Sequence, residues 1–92
     1  MDERVKLVFD RSQLKIDTFF NRCTTVHCIL PSGLIIVESH CALTEEDYDL
    51  NVGISICIEK IKLRIRELEG YVASINLAVE NLKELDQEEV QH

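Results

Sequence analysis

Two imidazoles, a carboxylate and a thiol fall within the stretch 23–40 of this chain: Cys23, His27, Glu38 and His40. These residue types can ligate zinc or hold a small polar ligand. Whether they meet depends on the segment "TTVHCILPSGLIIVESHCA", in which two β-rich runs flank Ser32-Gly33. Such a pattern predicts a hairpin with a two-residue loop. In that register Leu30 faces Ile35, Cys28 faces Val37 and Val26 faces Ser39 on an apolar side. The other side carries Thr25, His27 and Ile29 opposite His40, Glu38 and Ile36. His27 then lies beside Glu38, with His40 and Thr25 next to them and Cys23 at the sheet's end. The plainer reading is a solvated outer face with one favourable His–Glu pair, worth a few tenths to about 1 kcal/mol. The spacing 23, 27, 38, 40 is looser than that of structural metal sites, so neither a metal nor a cofactor is expected.

Nucleophilic catalysis is poorly served. Cys28 points to the opposite face from His27, and Cys41 to the opposite face from His40. Cys23 lacks an orienting group, so no enzyme is expected. A basic cluster, Lys60, Lys62, Arg64 and Arg66, could reach phosphate or carboxylate groups. Its ordinary role is to solvate a helix and pair with Glu59, Glu67 and Glu69. The candidate ligand contacts are therefore His27, Glu38, His40, Lys60 and Arg64.

The totals narrow the partners. Ninety-two residues make one small domain. Ten Lys and Arg against seventeen Asp and Glu, a net charge of -7, oppose binding to long nucleic acid but not to a small anion. No run approaches transmembrane length, and the charged "MDERVKLVFD" does not read as a signal peptide, so no membrane partner is expected. Four cysteines without metal-ligand spacing suggest free thiols in a reducing cytoplasm.

The elements that must position these groups make an α+β fold. Residues 2–10 suit a short helix with Val5, Val8 and Phe9 on one side. "QLKIDTFF" alternates Leu14, Ile16 and Thr18 against Lys15 and Asp17, a strand, and "NRC" is a turn. With the hairpin this gives a three-stranded antiparallel meander within residues 1–48. Thr44 and Asp47 resemble a capping box for a single turn, and Asp49 or Asn51 can cap a long helix over 49–86. Residues 87–92 lack apolar periodicity and are expected to fray.

That helix carries an unbroken stripe. Ile54, Ile58, Ile61, Ile65, Leu68, Val72, Ile75, Val79 and Leu82 follow a 4,3 spacing that passes Gly70 without a change of phase. They define heptads with Ile58, Ile65, Val72 and Val79 at a. Over 54–82 the helix would be roughly 44 Å long, more than the sheet of a small domain can cover. Ile56 and Leu63 at f, with Cys57 at g, form a second stripe that thins beyond Gly70. The expectation is that this second stripe packs on the hairpin and the a/d seam, Ile58 to Leu82, packs against copies of the chain in an oligomeric coiled coil. Arg64 at g would meet Glu69 at e of its partner.

Residues 24–71 also carry a resemblance. "TVHCILPSGLIIV", Tyr48-Asp49, Gly53 and "ELEGY" resemble the phage N-four gp-forty-nine and Shigella-phage gene-sixty-six family of small tailed-phage proteins. Leu30, Gly33, Tyr48, Asp49, Gly53, Glu67, Leu68, Glu69, Gly70 and Tyr71 match its pattern. Glu38, Ser39 and His40 stand where the family has Gly, Glu and Ser, and Arg66 replaces its Trp. The resemblance implies a phage-encoded protein of the host cytoplasm, not an activity. With it, the expected function is non-enzymatic counter-defence or host takeover by stoichiometric binding, with a nucleotide-derived immune signal sequestered at subunit boundaries. The alternatives are a protein-binding inhibitor of a host enzyme or defence complex, and a minor structural component of the virion.

Overall fold

The computed structural model describes residues 3–90, with side chains described through residue 86. The elements run α1 (Glu3–Asp10), β1 (Gln13–Phe19), β2 (Cys23–Ile29), β3 (Ile35–Cys41) and α2 (Leu50–Val90). The strands form one antiparallel sheet in the order β1-β2-β3. The α+β architecture is the one expected from the sequence. Asp2, placed in the first helix by the sequence pattern, lies outside the described residues, as do residues 91 and 92 of the expected frayed tail. The helix itself runs four residues past the expected end at 86, to Val90.

The hairpin loop departs from expectation, and the cause is local. Pro31 presets the φ of a type I turn, and Gly33 follows in the left-handed region at φ 94°. Gly33 N–H bonds to Leu30 O and Leu30 N–H bonds to Leu34 O, each at 2.8 Å. The loop therefore has three residues, not two, in the pattern of a type I turn closed by a glycine bulge. One extra loop residue slips β3 by one position. The observed partners are Cys28↔Ile36, Val26↔Glu38 and Thr24↔His40. Because side chains alternate, the slip turns every β3 side chain over.

One face of the sheet is covered by α2, which lies across β2 and β3, while α1 packs against α2. The core is Val5, Val26, Cys28, Leu30, Ile36, Cys57, Ile61 and Ile65, with Val8, Phe9 and Leu68 packed against it. Phe9 also lies 5.0 Å beneath the Lys62 ammonium. On the β1 edge Leu14 and Ile16 share the covered face but stay partly open.

The start of α2 is tightly fixed. Asp49 caps it, its Oδ1 accepting from Asn51 N–H at 2.9 Å and Val52 N–H at 3.2 Å. Before it, Thr44 Oγ1 accepts from Asp47 N–H at 3.2 Å. Gly53 then sits directly on β2, where a Cβ would run into the Thr24 side chain. Thr24 is fully buried, and its hydroxyl lies 2.7 Å from that of Tyr48. The Cys57 thiol donates to Thr24 O at 3.7 Å. Gly70, by contrast, has open space around it and the helix passes straight through. The molecule is accordingly 72 Å long and 24 Å across.

Candidate functional site

The register decides the fate of the polar constellation. Glu38 and His40 stand opposite Val26 and Thr24, on the face that α2 covers. His27 stands on the open face, between Lys15 of β1 and Val37 of β3. The expected pairing of His27 with Glu38 is therefore corrected: the sheet separates them, because the loop holds three residues. His27 Nδ1 is buried with no hydrogen-bond partner in the structure. Among the described residues no three His, Cys, Asp or Glu side chains converge as a metal-binding group.

The same slip joins Cys23 to Cys41, whose Cα atoms are 4.0 Å apart across β2 and β3, in a disulfide on the open face. This corrects the expectation that all four cysteines are free thiols. Only a count of three loop residues, which Pro31 followed by Ser-Gly permits, would have placed these cysteines opposite each other. Cys28 and Cys57 remain free and buried. Burial pushes both thiols up, opposed by the Ser12 hydrogen bond at Cys28. At Cys57 Lys60 opposes burial and Glu38 adds to it. A buried, protonated thiol is a poor nucleophile.

Lys60 and Arg64 are one turn apart on the flank of α2 that overlooks β3. Lys60 Nζ donates to Ser39 O at 3.0 Å. Arg64 lines a groove of about 380 Å³ with Leu34–Val37, Glu67, Leu68 and Tyr71. Lys60 and Arg64 thus lie along β3, the strand that carries Glu38 and His40, and His27 is on the far face of the sheet. A second, apolar groove of about 400 Å³ opens where α2 leaves the sheet, lined by Val8, Leu30, Pro31, Leu34, Ile65, Leu68 and Val72. Arg4 and Glu69 pair at its rim at 3.1 Å.

The stripe on α2 is divided differently from the sequence expectation. Cys57, Ile61 and Ile65 face the chain's own core, whereas Leu63, expected to pack on the hairpin, is exposed. Ile61 and Ile65 are therefore not available as an oligomer surface; Ile54 and Ile58 are half-buried and Leu68 packs at the core's edge. Those positions are seam residues whose partner is intramolecular, because α2 lies on the sheet by its a/d side. Beyond them Val72, Ile75, Val79 and Leu82 continue the same line into solvent. Ile61 is 0% and Ile65 2% exposed, against 55% at Val72 and 60% at Leu82. Tyr71, Leu77 and Leu85 are exposed as well. None of the described helices is long and apolar enough to cross a membrane.

A short helix, a three-stranded meander and a helix that outruns the sheet define a small α+β scaffold whose helical arm carries exposed apolar residues. By sequence the chain belongs to the phage protein (N4 Gp49/phage Sf6 gene 66) family, which it matches over residues 5–77. No curated protein and no solved structure matches it. The matched positions quoted above largely serve the fold. Gly33 turns the hairpin, Tyr48 bonds Thr24, Asp49 caps α2, Gly53 admits the close approach and Glu69 holds Arg4.

Proposed function

We propose that this phage protein is a non-enzymatic binding protein of the host cytoplasm that self-associates through the distal half of α2 and acts by stoichiometric capture. The observation that carries this reading is the line Val72, Ile75, Val79 and Leu82, exposed along the part of α2 that runs beyond the sheet. An apolar stripe at heptad spacing is stable in water when other helices cover it. The g positions Tyr71, Ala78 and Leu85 widen the line to three of every seven residues, the width used in helical bundles. A chain this small gains concave sites chiefly at subunit boundaries, a common place for ligand pockets. Lys60 and Arg64, on the flank of α2 that runs along β3, supply the charge for a small anion, and a nucleotide-derived signal of host immunity is the ligand class to test.

Sedimentation at micromolar concentration is expected to show an oligomer that Ile75→Asp with Val79→Asp dissolves into folded single chains. A folded monomer in the unaltered protein would overturn the reading. Nucleotides are expected to raise the melting temperature, and Lys60→Glu or Arg64→Glu to abolish the rise. A host protein that co-purifies while nucleotides have no effect would favour inhibition of a host enzyme instead. Recovery of the chain in purified particles would favour a virion component.

A further inference from the structure

We infer that β3 is a second self-pairing surface, on which two copies join their β3 strands antiparallel across a two-fold axis at Ile36 into one six-stranded sheet. The inference is independent of the distal seam and goes beyond it.

Backbone geometry sets the register. Leu30 and Leu34 close the hairpin as a hydrogen-bonded pair, so alternation makes Cys28↔Ile36 and Val26↔Glu38 hydrogen-bonded pairs too. The N–H and C=O groups of Ile35, Val37 and Ser39 therefore point away from β2, along the outer edge of the sheet. Ser39 O already accepts from Lys60. Ile35 and Val37 keep their edge groups open, and their side chains are 55% and 49% exposed on the open face. An edge strand with apolar side chains and open backbone groups is a template for another strand. A two-fold axis at Ile36 sets Ile35 opposite Val37 of the second copy, and Val37 opposite its Ile35. Both residues exchange both bonds, and the Lys60 contact stays undisturbed.

Helix spacing and charge point to a second copy as the occupant. Because α2 lies over β2 and β3, its axis and that of its mate would be two strand spacings apart, about 10 Å. That is the distance at which helices pack. Pairing through β1 instead would hold them about 19 Å apart, with bare sheet between. The flank of α2 above the β3 edge carries Lys60, Arg64 and Glu67. In antiparallel array this order sets each Glu67 against Lys60 of the other copy, with the two Arg64 side chains nearest the axis.

The test uses full-length chain carrying Ile75→Asp and Val79→Asp, in which the distal seam cannot form. Sedimentation is expected to show single chains at micromolar concentration and a monomer–dimer equilibrium that populates the dimer as the concentration is raised well above that. In the dimer, amide exchange at Ile35 and Val37 should slow by about tenfold or more, whereas Ile36 and Glu38, already bonded to β2, should change less. Adding Ile35→Lys with Val37→Lys, both at exposed positions, sets lysines opposite lysines and should return a folded monomer. A monomer at every concentration, unchanged exchange at Ile35 and Val37, or a dimer that survives the lysines would each overturn the inference. None of those results bears on the seam, which the unaltered chain reports separately.

Discussion

The two halves of α2 carry one repeat and live in two environments. From Gly53 to Leu68 the stripe lies on β2 and β3, and its central isoleucines are sealed from water. From Val72 to Leu82 the same spacing of the same residue types stands in solvent. Nothing in the heptad pattern marks the change. What marks it is the length of the sheet: seven-residue strands span about 23 Å, whereas α2 at 41 residues spans about 60 Å. Apolar periodicity therefore tells which side of a helix is buried and leaves open what buries it.

The sharpest way to break the comparison is to make the same deletion on each side of it. Ile61→Ala removes side-chain volume from a closed core and should cost about 2–5 kcal/mol of chain stability. Val79→Ala should leave the urea midpoint of the dissociated chain almost unmoved and weaken only the assembly. Equal losses in the dilute chain would mean that the distal half is packed within the monomer after all.

Legibility follows the same division. Element order and the passage of the helix through Gly70 rest on signals within a few residues of where they act, and the structure has them as read; of the two caps the sequence offers, Asp49 and Asn51, the structure uses Asp49. The polar site failed on one loop residue. Pro31-Ser32-Gly33 reads either as a two-residue turn preceded by proline or as a three-residue loop, and the two differ by a strand register. That single step separates His27 from Glu38, brings Cys23 to Cys41, and turns Ile35 and Val37 outward. The division of the stripe was missed for a different reason: helix-to-sheet contact is a long-range choice, and Cys57 and Leu63 at neighbouring heptad positions gave no sign that only the first would be buried.

The two glycines of α2 give the next contrast. Gly53→Ala drives a Cβ into the buried Thr24 side chain, whose hydroxyl is held by Tyr48. Overpacking of this kind costs about 1–3 kcal/mol, against which alanine returns about 1 kcal/mol of helix propensity. A net loss of stability is expected, and Thr24→Ala in the same chain should relieve part of it. Gly70→Ala meets nothing and should stabilise the chain by roughly 0.5–1 kcal/mol. If both substitutions stabilise, the close approach of α2 to β2 is wrong.

The smallest effect separates the two halves by pH. The free thiols, Cys28 and Cys57, lie on the packed side of the comparison, and burial raises both above the ordinary value of 9.0. A raised thiol favours the protonated form in the folded chain. Its contribution to stability is complete below the ordinary value and is lost as pH rises from there through the raised one, because the unfolded chain ionises first. Urea midpoints of the seam-disrupted monomer should thus hold steady from neutral pH up to the ordinary thiol range and decline above it. Cys57→Ala should lower the midpoint at neutral pH, through its cavity, and flatten the alkaline decline. A decline that keeps its slope when Cys28 and Cys57 are both replaced would mean that groups other than the buried thiols govern it.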